Sequence, residues 1–121
     1  MKTESQENQD RSKKTPVYFI VSVNIDDPSM RPIYDLYIEK VKPIVESFGG
    51  TYLVRTEKID RPFPGSWKPD RVIVIRFESR KECDRCFASA EYKSIMGLRT
   101  ESVKASAVIV EGMEDETSVA E

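Results

Sequence analysis

The sequence predicts an α+β domain of element order β-α-β-β-α-β, the ferredoxin-like arrangement in which a four-stranded antiparallel sheet is covered by helices on one side. Three observations carry that expectation. Strand-like stretches bracket each of two helix-period stretches; Gly49-Gly50 marks a reversal from the first helix into the next strand; and the apolar run Val72-Ile73-Val74-Ile75 marks a strand in the middle of the sheet.

In chain order, residues 1–15 hold no apolar residue after Met1, so they cannot repay the entropy of ordering and read as a polar tail. Val17 to Ile25 alternates, with Val17, Phe19, Val21, Val23 and Ile25 on a core face and Tyr18, Ile20, Ser22 and Asn24 on a half-apolar second face. Asp26-Asp27-Pro28-Ser29 supplies turn and N-cap chemistry, after which Ile33, Tyr34, Tyr37, Ile38, Val41, Ile44, Val45 and Phe48 recur at helical spacing. Pro43 falls inside that helix and lacks the N–H that would bond back one turn, so a kink or break is expected between Glu39 and Pro43. The glycine pair suits a left-handed helix end.

Thr51 to Lys58 reads as the second strand, with Tyr52, Val54 and Thr56 on one face and Thr51, Leu53, Arg55 and Glu57 on the other. The pattern leaves open which of these faces meets the helices. A long connection over 59–70 contains Pro62, Pro64, Gly65 and Pro69 with Phe63 and Trp67 among them. Val72 to Phe77 is the third strand, expected to be central. Ser79 and Glu82 have capping-box spacing ahead of a stripe of Cys83, Cys86, Phe87 and Ala90; Ser89 restarts a helical stretch through Tyr92, Ile95, Met96 and Arg99; and Ala105 to Val110 closes the sheet. Residues 16–113 are therefore the expected domain, and the acidic stretch 114–121 a second tail that, with the first, carries the net negative charge.

Composition excludes several classes. With 121 residues, 39% of them hydrophobic, the chain supports one modest core. The 19 basic and 21 acidic residues leave a net charge of −2 without a basic stripe, so no nucleic-acid partner is expected. No apolar run approaches the roughly 18 residues of a membrane span and residues 1–15 lack a signal-like apolar segment, which gives the expectation of a cytoplasmic protein away from membranes. Histidine is absent, removing the commonest metal ligand and the usual general base. Cys83 and Cys86 have redox spacing but lie a turn inside their helix rather than at its start, and read as small core residues; with no further Cys or His to complete a site, no metal is expected.

From Tyr18 to Met113 the sequence also resembles the family known as domain of unknown function 1330. The residues that carry the resemblance are Asp27-Pro28, Tyr37, Lys40-Val41 with Pro43, Gly49-Gly50, Tyr52-Leu53-Val54-Arg55, Gly65 and Trp67, Pro69-Asp70-Arg71, Val74-Ile75 with Phe77, Ser79, Ser89 with Glu91-Tyr92, Leu98-Arg99 and Val110-Glu111-Gly112. Ser29 to Pro32 lengthens the approach to the first helix and Ala90 replaces a usual proline, departures that concern helix entry. The resemblance implies a dimeric α+β barrel, a homodimer formed through the sheet, and no established reaction or cofactor. The half-apolar second faces of the strands point to the same pairing, since they would leave a large apolar patch on a monomer.

Arg55 stands out among the cations, because its guanidinium could bind a carboxylate or enolate bidentately, whereas Arg71 and Arg76 read as snorkelling or as ion-paired with Glu57, Asp70 or Glu78. The expected pocket joins Arg55 to Trp67, Tyr18 and Tyr92, with Asn24 and Arg99 as further polar groups, and takes a small organic acid or carbonyl compound. No catalytic residue is assigned. The alternative is a cofactor-independent enzyme, a monooxygenase or isomerase acting on a small aromatic or lactone.

Overall fold

Strand alternation, two serine caps and one glycine turn build the scaffold of this computed structural model, which describes residues 15–113. The strands are β1 (Val17–Asn24), β2 (Thr51–Thr56), β3 (Arg71–Phe77) and β4 (Lys104–Glu111), and the helices are α1 (Arg31–Ser47), α2 (Arg80–Ala88) and α3 (Ala90–Ser102). The sheet runs β2-β3-β1-β4 with each neighbouring pair antiparallel, which is the expected ferredoxin-like order. The tail expected over 1–15 lies outside the described residues except for its last position, and that over 114–121 lies outside them entirely.

Short polar side chains take up free backbone N–H groups at the heads of α2 and α3 and of the 3₁₀ turn before α1, while α1 itself starts at Met30 without a side-chain cap. Asp27 Oδ1 accepts from the Ser29 N–H at 3.0 Å and caps a 3₁₀ turn, Pro28–Met30, that leads into α1. Ser79 Oγ accepts from the Glu82 N–H at 3.3 Å at the head of α2, and Ser89 Oγ from the Tyr92 N–H at 3.1 Å at the head of α3. At the far end of α1, Gly49 adopts φ 82°, and the N–H groups of Gly49 and Gly50 return to the carbonyls of Glu46 and Val45, both at 3.0 Å. That pair of bonds is a Schellman turn, and it needs φ > 0 where only glycine is unstrained. Gly50 is required for a different reason: a Cβ there would lie 2.5 Å from Val45 Cγ1 and 3.0 Å from the Phe77 ring.

α1 runs through Pro43 without the break that proline made possible. Val41 and Val45, 4% and 0% exposed, anchor the helix to the core on either side of the missing hydrogen bond. Burying a valine is worth about 1.5–3 kcal/mol, comparable with the roughly 3 kcal/mol that an interior proline costs. Val45, Phe77, Cys83 and Cys86 form the driest part of the core, each 0% exposed.

The side chains of Val17, Val21, Val23, Ile73, Ile75 and Phe77 point beneath the helices, as the alternation of both central strands requires. β2 departs from simple alternation. A bulge between Tyr52 and Val54 sets Tyr52 opposite Ile75, Val54 opposite Val74 and Arg55 opposite Ile73. Directly paired residues share a face, so Tyr52 and Arg55 both lie on the helix side and Val54 and Thr56 on the open side. The expected grouping of Arg55 with Thr51 and Leu53 is thereby corrected, and Leu53 becomes the extra residue, 52% exposed.

Candidate functional site

A cavity of about 120 Å³ lies between the helix side of the sheet and the two helices α1 and α3. Its floor is made of β-branched residues such as Val21, Ile73 and Ile75, and α1 lines it with Tyr34, Tyr37, Val41 and Val45. Those four positions fall on one stripe of the helix, at i, i+3, i+7 and i+11, so the periodicity that buries the helix also brings two phenols to the cavity. α3 contributes Tyr92 from its first turn and Arg99 from two turns on, seven residues apart and on the same face. Phe87 at the end of α2 and Tyr52 of β2 complete the aromatic wall.

The polar groups in this apolar setting form a chain. Arg99 Nε donates to Tyr92 Oη at 3.2 Å, and the hydroxyls of Tyr92 and Tyr37 are 3.0 Å apart, buried together. Edge-on ring contacts hold the phenols, with Tyr92 centred 5.0 Å from Phe87 and 6.3 Å from Tyr37. Burial pushes the Tyr37 hydroxyl far above the ordinary phenol range, and Tyr92 beside it adds to the rise. Burial alone would pull the Arg99 guanidinium down, but the hydrogen bond to Tyr92 and the nearby Tyr37 outweigh it and leave it raised. Tyr52 is likewise pushed well above the ordinary range by burial. None of the described residues lining the cavity is Asp or Glu. The arrangement can therefore hold an oxygen by charge and hydrogen bonds, but it offers no group poised to take a proton near neutral pH.

A second polar cluster adjoins Tyr34. Arg71 Nη2 donates to Glu57 Oε2 at 3.0 Å, and Glu57 also receives both terminal nitrogens of Arg31. The hydrogen bond from Arg31, ahead of the one from Arg71, holds the Glu57 carboxyl below its ordinary value. The Arg71 guanidinium lies over the Tyr34 ring, 5.6 Å from its centre. The Tyr34 hydroxyl and the Nε and Nη1 of Arg71 are buried without a hydrogen-bond partner.

Of the six residues expected to converge, Tyr92 and Arg99 line this cavity together. Arg55 lies beside it, exposed, its guanidinium 5.3 Å over the ring of Tyr52. Tyr18 and Trp67 belong to the other side of the sheet, so the single pocket that was to join them to Tyr92 is not formed. Tyr18 packs so closely on Gly112 that a Cβ there would lie 2.3 Å from its ring, and Trp67, 66% exposed, stands over Ile20, Ser22 and Val108. Asn24 is spent on the long connection: its side-chain N–H donates to the Lys68 carbonyl at 2.9 Å, while Asp70 caps Ile25 N–H at 2.7 Å. Glu57 pairs with Arg31 and Arg71, so Arg71 has the structural partner expected of it. Burial raises the Cys83 and Cys86 thiols to about 11 and about 12, which suits core residues rather than a redox pair.

Helical spacing puts Tyr34 and Tyr37 on one stripe of α1 and strand alternation puts Tyr52 on one face of β2, but neither pattern singles out their hydroxyls. The available signal was chemical: Tyr34 and Tyr37 occupy core-facing positions where phenylalanine would fill the same space without bringing a buried hydroxyl. Among the described residues no cluster of three His, Cys, Asp or Glu side chains could hold a metal ion, and no helix is long and apolar enough to cross a membrane.

Residues 16–113 match the model of a family described as domain of unknown function (DUF1330). No curated protein sequence matches the chain. Among solved structures, a protein of unknown function from Rhodopseudomonas palustris is 14% identical, with 95% of each chain covered and a TM-score of 0.68. A dimeric protein of unknown function and ferredoxin-like fold from Bacteroides fragilis is 8% identical over 83% of this chain and 98% of that one, with a TM-score of 0.54. SnoaB, a cofactor-independent oxygenase from Streptomyces nogalater, is 9% identical over 84% of this chain and 96% of that one, with a TM-score of 0.50. At these identities the likeness is one of fold.

Proposed function

Because the chain belongs to the DUF1330 family, a family defined without a reaction, we propose from its own geometry that it is a homodimeric binding protein for a small organic acid or carbonyl compound. The observation that carries the reading is the Arg99–Tyr92–Tyr37 chain at one end of an otherwise apolar cavity. A half-buried guanidinium there supplies a charge-assisted hydrogen bond in a setting where water competes poorly. A cavity of about 120 Å³ suits a ligand of roughly benzene size. Arg55, stacked on the Tyr52 wall, is the second cation within reach of an acid at the cavity's edge.

The homodimer is supported by the open face of the sheet, where Ile20, Val54, Val74 and Val108 meet no helix, and by the dimeric state of the Bacteroides fragilis relative. A cation that holds a carboxylate would also stabilise an enolate oxygen. The second reading, cofactor-independent oxygenation or isomerisation of a small aromatic or lactone, draws on that chemistry and on SnoaB.

Calorimetric titration with pentanoate, a plain acid of suitable size, tests the binding reading. R99Q should bind pentanoate about tenfold or more weakly than the unmodified protein, the loss that follows from removing a hydrogen bond to a charged group. Equal affinities would remove Arg99 from the site. An undiminished R99Q beside a weakened R55A would move the carboxylate to Arg55. Oxygen uptake on adding a candidate aromatic would favour the enzyme.

A further inference from the structure

The cavity reaches the surface at one edge of the sheet. Between Val17 and Val23 on β1, and between Ile73 and Phe77 on β3, every helix-facing position carries Val, Ile or Phe; β4 carries Ala105 and Ala107 there, opposite Val23 and Val21. Both alanines line the cavity. Alanine is a poor strand former, and each one leaves out the bulk with which its neighbours fill the layer beneath the helices. Ala105 and Ile109 are half-buried, but Ala107 between them is exposed, so the helices leave a gap over it. β4 is an edge strand, and Ala107 also borders the groove under Trp67 on the open side.

The gap lies at the charged end. The Arg99 carbonyl accepts from the Val103 N–H at 3.1 Å where α3 gives way to β4, which holds the Arg99 turn near Ala105. Arg99 is itself half-buried, whereas the residues farther in are aliphatic and dry: Val41 and Ile75 are each 4% exposed and Val45 0%. Tyr37, at the inner end of the Arg99–Tyr92–Tyr37 chain, and Val45 are eight residues apart on α1, about 12 Å along the helix. Ala107, Val21 and Ile73 stand side by side across three strands and give about 10 Å of floor. One end of the cavity is charged and open, the other apolar and closed, with room for a short chain between them.

We propose that Ala105 and Ala107 form the doorway of the cavity and fix the girth of what passes it, making the ligand a short monocarboxylic acid with a slim apolar tail that enters tail-first. This rests on the reading of Arg99 as the seat of the carboxylate. The tail then occupies the aliphatic end by Val45 and Ile75, and the carboxylate stays at the doorway on Arg99. A second charge on the tail would be carried against an aliphatic wall.

Calorimetric titrations with straight-chain acids test it, on the unmodified protein, A107L, A107V, S106L and R99Q. From propanoate to pentanoate the unmodified protein should bind about fourfold more tightly with each methylene added, the gain from burying that group. A107L, which narrows the doorway, should weaken pentanoate about tenfold or more, and A107V about threefold; valine suits a strand, so A107V decides the matter if A107L does not fold. S106L adds its bulk on the other side of the sheet and should bind pentanoate as before. Pentanedioate, with a carboxylate at each end, should bind the unmodified protein about tenfold or more weakly than pentanoate does. Alanine variants that bind pentanoate as tightly as the unmodified protein, or an S106L that weakens it equally, would overturn the doorway. Pentanedioate bound as tightly as pentanoate would overturn tail-first entry. Either result would spare the reading of Arg99, provided R99Q still weakens pentanoate. If pentanoate does not bind the unmodified protein, both readings fall together.

Discussion

A phenol on a core-facing stripe brings a hydroxyl that the core must satisfy, and the tyrosines of α1 show both outcomes. Tyr37 finds Tyr92 at 3.0 Å, whereas the buried Tyr34 hydroxyl has no partner, an omission that ordinarily costs about 1–3 kcal/mol. The sequence pattern identified Tyr92 and Arg99 as candidates but treated the α1 tyrosines as packing residues, because helical spacing accounts for the ring and is silent about the hydroxyl. Glu57 offers a test at the same scale. Its carboxyl is held below the ordinary value of 4.5, chiefly by the hydrogen bond from Arg31, so its pairing stabilises the fold above that pH and the contribution fades as pH falls through the depressed value. E57Q should therefore be less stable than the unmodified protein near neutral pH, and the gap should narrow in denaturant titrations carried down to about pH 3. A gap that stays constant with pH would mean that the ion pair to Arg31 and Arg71 contributes nothing through its charge.

Elements were legible where local chemistry dictates them. Gly49-Gly50 announced the Schellman turn, and Ser79 with Glu82 announced the start of α2, since both signals act within a few residues. The β2 bulge was not legible, because an extra residue leaves the sequence alternation intact and is defined only by the pairing partner on β3. That shift turns Arg55 to the side of Tyr52. The sidedness of Tyr18 could be read from β1 alternation, but its distance from Tyr92 required knowing which face the helices cover. β4 carries a prediction of its own. Val108 is 56% exposed opposite Ile20 on the open face, so V108K should fold normally yet place a charge in the proposed interface. Light scattering at tens of micromolar should report a dimer for the unmodified protein and a monomer for V108K. An unmodified protein that is monomeric at that concentration would contradict the interface.

On the scale of the whole molecule, the sheet separates two surfaces with different chemistry. The helix side encloses the cavity with its Arg99–Tyr92–Tyr37 chain, and the open side presents Ile20, Val74, Val108 and Trp67 without a helical cover. The fold could be anticipated from element order because antiparallel β-α-β-β-α-β connections leave few alternatives. The cavity could not, since its walls come from α1, α3, the end of α2 and all four strands, distant in sequence, and its existence depends on how closely they pack. The proposed state has a ligand in the cavity and a second copy of the chain on the open face. A crystal structure of the protein grown with saturating pentanoate tests it most directly. The expected result is pentanoate within the cavity, a carboxylate oxygen in hydrogen-bond distance of Arg99 or Tyr92, and the open faces of two chains against each other; an empty cavity with pentanoate bound at the Trp67 face, or nowhere, would contradict it.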